Sequence, residues 1–182
     1  MKKKWVAVLT TLFLLAGCSK GEDSTGDAGA GYRDDVSVKG LVEAVASELG
    51  DEYWPDTELS AELLDDWYGI STEMYDEFYG QTPMISANVD ALIIVKAAKE
   101  RQEDVENALN TYKESMVQDT FQYPMNVPKI QAAQIRTYGN YVCFVQLGGS
   151  MENIEDNNEA AIEACQKVNE RALAVIEGEL AE

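Results

Sequence analysis

Residues 134–147 read QIRTYGNYVCFVQL, two strand-forming runs joined by Gly139-Asn140. A two-residue turn of this kind ties its flanks into an antiparallel hairpin, so the fold has to contain an antiparallel sheet. The second run carries Val142 and Phe144 on one side and Tyr141, Cys143, Val145 and Leu147 on the other. A strand that is apolar on both faces must be covered on both. It therefore belongs inside a sheet with layers above and below, whereas 134–138, with Gln134, Arg136 and Thr137, suits an edge.

A second hairpin is expected upstream, where 83–87 (PMISA) and 91–97 (ALIIVKA) flank Asn88-Val89-Asp90. The latter run is apolar on both sides except for Lys96, which makes it a second interior strand. Elsewhere the hydrophobic period is helical. Val38, Leu41, Val42, Val45 and Leu49 mark a helix over 37–49, stopped by Gly50. Leu59, Leu63, Leu64 and Trp67 mark a short second helix. A third is expected over 72–79, capped by Ser71, with Met74 and Phe78 inward and Gly80 at its end. Val105, Ala108, Leu109, Tyr112 and Met116 trace a helix over 100–120, and Pro124 and Pro128 punctuate the segment between it and the Gly139-Asn140 hairpin. Ala161, Ile162, Cys165, Val168, Ala172, Val175 and Ile176 trace a last helix over 155–178, with Asp156 and Glu159 resembling a capping box. The expected class is α+β: a four-stranded antiparallel sheet of two hairpins with about five helices, in the order ααα-ββ-α-ββ-α.

The N-terminus reads differently. Lys2, Lys3 and Lys4 precede an apolar run over 5–16, too short for a span of roughly 20 residues but suited to a signal sequence. It ends in Leu15-Ala16-Gly17-Cys18, which resembles the lipobox of bacterial lipoproteins and implies cleavage before Cys18 and lipid on its thiol. The stretch 19–31 (SKGEDSTGDAGAG) has no large apolar group with which to offset its chain entropy. The expected organisation is a lipoprotein signal peptide at 1–17, a lipidated cysteine and flexible acidic tether at 18–31, and a single globular domain at 32–182. This locates the domain on the outer face of the bacterial cytoplasmic membrane.

The chain holds 14 basic and 33 acidic residues. Cleavage would leave 165 residues with 11 bases against the same 33 acids, a net charge of −22. Such a surface repels phosphates, which excludes nucleic acid as a partner and leaves membrane attachment to the lipid. There is no histidine, which excludes Ser-His-Asp and Cys-His nucleophiles and His-ligated zinc. No catalytic, cofactor-binding or metal-binding residue is assigned, and Cys18 is the one modification site.

Four features invite chemistry and each has a plainer reading. The stretch 152–159 (ENIEDNNE) is rich in oxygen ligands, but counting from Asp156 puts Ala161 sixth and Lys167 twelfth, so no EF-hand loop is formed; a polar loop and helix cap is expected. Tyr53-Trp54-Pro55 and Trp67-Tyr68, beside Asp51, Glu52, Asp65 and Asp66, could stack a sugar, yet nothing fixes a carboxyl pair across a glycosidic bond, and core packing is expected instead. Lys96 in an apolar strand suits a snorkelling residue near a strand end more than a buried base. Cys143 lies about 13 Å before the strand end at Leu147, and Cys165 about 15 Å into a helix from 155. A helix folding back would set both sulfurs at one height, buried, with Cα atoms near 8 Å, beyond the disulfide limit of about 7 Å. Neighbouring thiols are expected.

The runs YDEFYG (75–80), VDALIIVK (89–96), and QI with YGNYV within 134–142, together with the lipobox, resemble a lipoprotein family of Gram-positive bacteria, domain of unknown function 4358. The likeness covers roughly residues 38–147 and implies an architecture without an activity. The leading expectation is a non-catalytic binding or accessory module at the cell envelope, anchored through lipid on Cys18 and acting on an envelope protein or wall polymer. The alternatives are a small-ligand binding lipoprotein serving a transporter and, third, a carboxylate-based envelope hydrolase.

Overall fold

The computed structural model describes residues 31–85, 87–148 and 158–182. The expected signal peptide at 1–17, Cys18, nearly all of the expected tether at 18–31 and most of the 152–159 stretch lie outside the described residues, as does the capping role expected of Asp156.

The chain forms α1 (Val38–Leu49), a two-residue β1 (Thr57–Glu58), α2 (Ala61–Tyr68), β2 (Tyr75–Thr82), β3 (Ala91–Ala97), α3 (Gln102–Gln118), α4 (Val127–Ala132), β4 (Gln134–Tyr138), β5 (Tyr141–Gln146) and α5 (Asn158–Leu180). The sheet has five strands in the order β1-β2-β3-β5-β4, all antiparallel. The α+β class holds, but the expected four strands are corrected to five.

The error has physical causes. Residues 75–82 are a strand and not the helix expected over 72–79. Tyr75, Phe78 and Tyr79 favour a pleated surface, and Gly80, read as a helix stop, sits mid-strand opposite Ile93. A Cβ there would lie 3.0 Å from Ile93 Cγ1, so the glycine permits close pairing. The strand expected over 83–87 does not form: β2 pairs with β3, the described residues between them, 83–85 and 87–90, belong to no strand, and Met84 and Ile85 are exposed. The two-residue β1 is too short to leave a period, and α4 was hidden by its proline, which Pro128 places in the first turn where no backbone donor is needed.

Strands β3 and β5 are interior and β4 is an edge. Side chains alternate between two cores. Leu92, Ile94, Cys143 and Val145 face α1 and α5 through Leu41, Val45, Ala172 and Ile176. Ile93, Val95, Val142 and Phe144 face α2 and α3 through Leu64, Val105 and Leu109. The starts of α1 and α2 are capped by side chains: Ser37 Oγ accepts from Gly40 N–H and Ser60 Oγ from Leu63 N–H, at 3.4 and 3.2 Å.

The two ends of the sheet differ. At the β4–β5 turn, Tyr32 packs edge-on against Tyr138, with centroids 5.4 Å apart, and bridges Ala181, so the chain enters the domain there. At the far end, Ala91 pairs with Gln146, and the 83–90 loop is held to α4 by Asn126 Nδ2 donating to Ala87 O at 3.0 Å. Phe121, Tyr123 and Met125, which precede that bond in sequence, are exposed, as are Met84 and Ile85.

Candidate functional site

A concave feature lies along the exposed edge of β4. Asn110 and Lys113 project from α3 at i,i+3 spacing, and Gln166 and Glu170 from α5 at i,i+4 spacing, so each pair shares a helix face. Between them run Gln131, Ala132 and Ala133 at the end of α4 and Gln134, Ile135 and Arg136 of β4, and together they enclose a cleft of about 430 Å³. Because α3 and α5 cover opposite faces of the sheet, the cleft is a trough with the sheet edge as its floor.

Its lining inverts the balance of the whole chain. Two cations and four side-chain amides meet one carboxylate, Glu170, in a protein with 33 acids and 14 bases. Arg136 Nη1 donates to Ile135 O at 2.9 Å, and the guanidinium pairs with no carboxylate among the described residues. Amides and guanidinium groups bind oxygen-rich and anionic ligands by directional hydrogen bonds. One carboxylate does not supply the acid and base that glycoside hydrolysis requires.

The cleft is positioned by a buried polar cluster next to it. Lys129 Nζ stands 2.7 Å from Asp90 Oδ1 and donates to Asn88 Oδ1 at 2.8 Å, pinning α4 to the loop before β3. Asp90 is 1 % exposed and Lys129 8 %. Burial pushes the Asp90 carboxyl up, against the pull of the Lys129 ammonium and of donors at Gly148 and Asn88. Asn169 completes the clamp: its Oδ1 accepts from Leu147 N–H and its Nδ2 donates to Ala132 O, both at 2.9 Å. These bonds fix the end of α4 between β5 and α5, where β4 begins.

The residues singled out from sequence fare differently. Lys96 lies near a strand end, partly exposed, donating to Asp34 O and standing 5.7 Å from the Tyr141 ring centroid. Tyr53 packs on the α1/α5 core while Tyr68 is buried in the other, its ring tilted against Tyr112 and edge-on to Phe144. The two tyrosines thus pack on opposite faces as expected of core residues, whereas Trp54 and Trp67 are exposed, so the expected core packing does not extend to them.

Cys143 and Cys165 are both buried and outside any disulfide, and Cys143 lies on the face that α5 covers. They are not at one height. Asn169 is level with Leu147, so Cys165, one turn earlier, meets Gly148 O at 3.7 Å beyond the strand end. The helix starts past the strand instead of level with it. Burial pushes both thiols up, Cys165 to about 11. In the full chain carrying Cys18→Ser, neither thiol is expected to react with a disulfide reagent at pH 8 within minutes, and both should react once the chain is unfolded in denaturant. Stoichiometric labelling of the native chain would contradict this burial.

Sequence reading missed the cleft. Arg136 and Gln134 registered only as signs of an edge strand, while Lys113, Gln131 and Gln166 sit on helix surfaces that read as solvated. The available signal was a basic residue in an edge strand of an acidic chain.

A family model described as a domain of unknown function, DUF4358, matches residues 49–147, which include the α3, α4 and β4 walls of the cleft and exclude α5 and all of α1 but Leu49. No curated protein and no solved structure matches the chain.

Proposed function

We propose, for a chain that belongs to the family of domain of unknown function 4358, that it is an extracytoplasmic lipoprotein of a Gram-positive bacterium. It is held on the outer face of the cytoplasmic membrane by lipid on Cys18 and acts as a non-catalytic binding or accessory module for an envelope protein or wall polymer. The observation that carries the binding role is the polar trough of about 430 Å³ at the β4 edge, with Lys113 and Arg136 on its walls.

The chain's point of entry supports the same reading. The chain enters at the β4–β5 turn, and the far end of the sheet lies about 17 Å away along β5 at roughly 3.3 Å per residue. The Gln134 end of the cleft and the exposed loop tips therefore lie at the end of the sheet opposite the chain's entry.

One experiment tests both halves. Cells expressing the full chain should incorporate labelled palmitate, and Cys18→Ser should abolish it. The full chain purified in detergent should retain an envelope component that Lys113→Glu/Arg136→Glu retains at least roughly tenfold less, the scale of losing charge-assisted bonds. Palmitate uptake by Cys18→Ser, or equal retention by the charge-reversed chain, would overturn the corresponding half.

A further inference from the structure

We propose that the trough takes its ligand as an added strand: an extended peptide segment with an acidic side chain, pairing through the free edge of β4. This rests on the reading of the trough as a binding site and names the ligand class.

Register decides which backbone groups of β4 face outward. Gly139, at φ 58°, occupies the first of two turn positions, and Tyr138 pairs with Tyr141. In a two-residue hairpin the flanking pair exchanges both backbone hydrogen bonds, and bonded pairs then alternate along the ladder. Arg136↔Cys143 and Gln134↔Val145 are accordingly bonded pairs, and Ile135↔Phe144 and Thr137↔Val142 are not. The N–H and C=O groups of Ile135 and Thr137 point away from β5, out of the sheet. The bond from Arg136 Nη1 to Ile135 O agrees with this assignment, because only an outward carbonyl is within reach of that side chain.

An edge of this kind templates another strand unless it is blunted. At the opposite edge, β1 pairs with only Gln81 and Thr82 of β2, and no sheet-edge trough of this kind is formed there among the described residues. The β4 edge has five residues and is recessed between α3 and α5, so a strand entering the trough would be covered on both faces as β3 and β5 are. Four outward groups on two residues match a paired segment of about three to four residues, roughly 10–13 Å long.

The charge preference follows from the Arg136 cap. An incoming backbone N–H replaces the guanidinium at Ile135 O, and the displaced guanidinium then needs an acceptor. A carboxylate on the added strand supplies it, on the α5 side with Arg136 or, at the alternate position, on the α3 side towards Lys113.

The test uses the full chain in detergent micelles and two acetylated seven-residue probes of alternating Thr and Val, one with Glu at its centre and one with Lys. Amide hydrogen exchange at Ile135 and Thr137 should slow at least roughly tenfold with the Glu probe, which should bind several-fold tighter than the Lys probe. Arg136→Gln should erase that preference while leaving the protection. Thr137→Pro removes an outward N–H without touching the β4–β5 ladder and should weaken binding roughly tenfold; its folding is checked by its melting curve, and Arg136→Gln carries the test if it fails to fold. Unchanged exchange at Ile135 and Thr137 with both probes overturns strand addition. If a wall-polymer fraction nonetheless perturbs Gln131 and Gln166, the trough is still a binding site and only its ligand class is wrong; if no envelope fraction does so, the binding role falls as well.

Discussion

Asp90→Ala should lower the stability of the folded chain by about 3–5 kcal/mol, the usual result of removing one partner of a buried ion pair. The carboxylate is 1 % exposed and the ammonium of Lys129 is 2.7 Å away in an 8 % exposed residue. Truncation leaves that ammonium without its counter-charge, and α4 loses its tie to the loop before β3. Relief by outward rotation of Lys129 is restricted, since its side chain lies over Gly148 so closely that a Cβ there would come within 2.3 Å of Lys129 Cε. The pair as a whole adds little stability, because desolvation offsets most of its attraction. Asp90→Leu/Lys129→Met should therefore recover most of the loss. Urea unfolding of the three chains measures this, and a loss below about 1 kcal/mol for Asp90→Ala would show that the ammonium finds water.

Phe144→Ala is expected to cost about 3–5 kcal/mol, as large-to-small changes at fully buried aromatics do. Phe144 is 0 % exposed on an interior strand, and its ring meets Tyr68 and Tyr112 edge-on with centroids 6.1 and 5.6 Å away. Those two tyrosines also contact each other, at 4.3 Å, so they hold α2 and α3 apart and cannot both collapse into the space vacated. Phe144→Leu keeps most of the volume and should lose no more than about 1.5 kcal/mol. Phe121→Ala, at a residue 94 % exposed, should stay within about 0.5 kcal/mol. Thermal and urea melts read all three, and equal losses for Phe144→Ala and Phe144→Leu would contradict the formation of a cavity.

Where the sequence spoke in one voice, its reading survives. The Gly139-Asn140 turn, the two-sided burial of β3 and β5 and the apolar stripes of α1, α3 and α5 are each marked by an unambiguous turn or period, and each forms at the expected place. It misled where local and long-range signals disagree. Ser71, Met74, Phe78 and Gly80 have helical spacing and a cap, yet the chain from Tyr75 pairs along β3, a contact that no local window contains. Met84 and Ile85 are apolar without being buried, so their hydrophobicity marks an exposed loop and not a strand.

The candidate site was illegible for a related reason. Asn110, Lys113, Gln131, Arg136, Gln166 and Glu170 come from four elements, and polar residues on separate surfaces carry no signal of convergence. The Asp90–Lys129 pair spans 39 positions, and neither residue stands in a pattern that marks it as buried. By contrast, Lys96 stood out as one charge in an apolar run, and its place near a strand end was readable from that alone.

The central claim, that the trough at the β4 edge meets an envelope partner while the chain is anchored outside the membrane, is tested most directly in living cells. A photo-crosslinking amino acid replaces exposed Gln166 in the trough or, as a control, exposed Glu62 on α2. Irradiation of intact cells should give a discrete adduct with an envelope component from position 166 and none from position 62, and the adduct should disappear when Cys18→Ser is added. Adducts of equal yield from both positions, or an adduct from position 166 that persists without Cys18, would contradict the account.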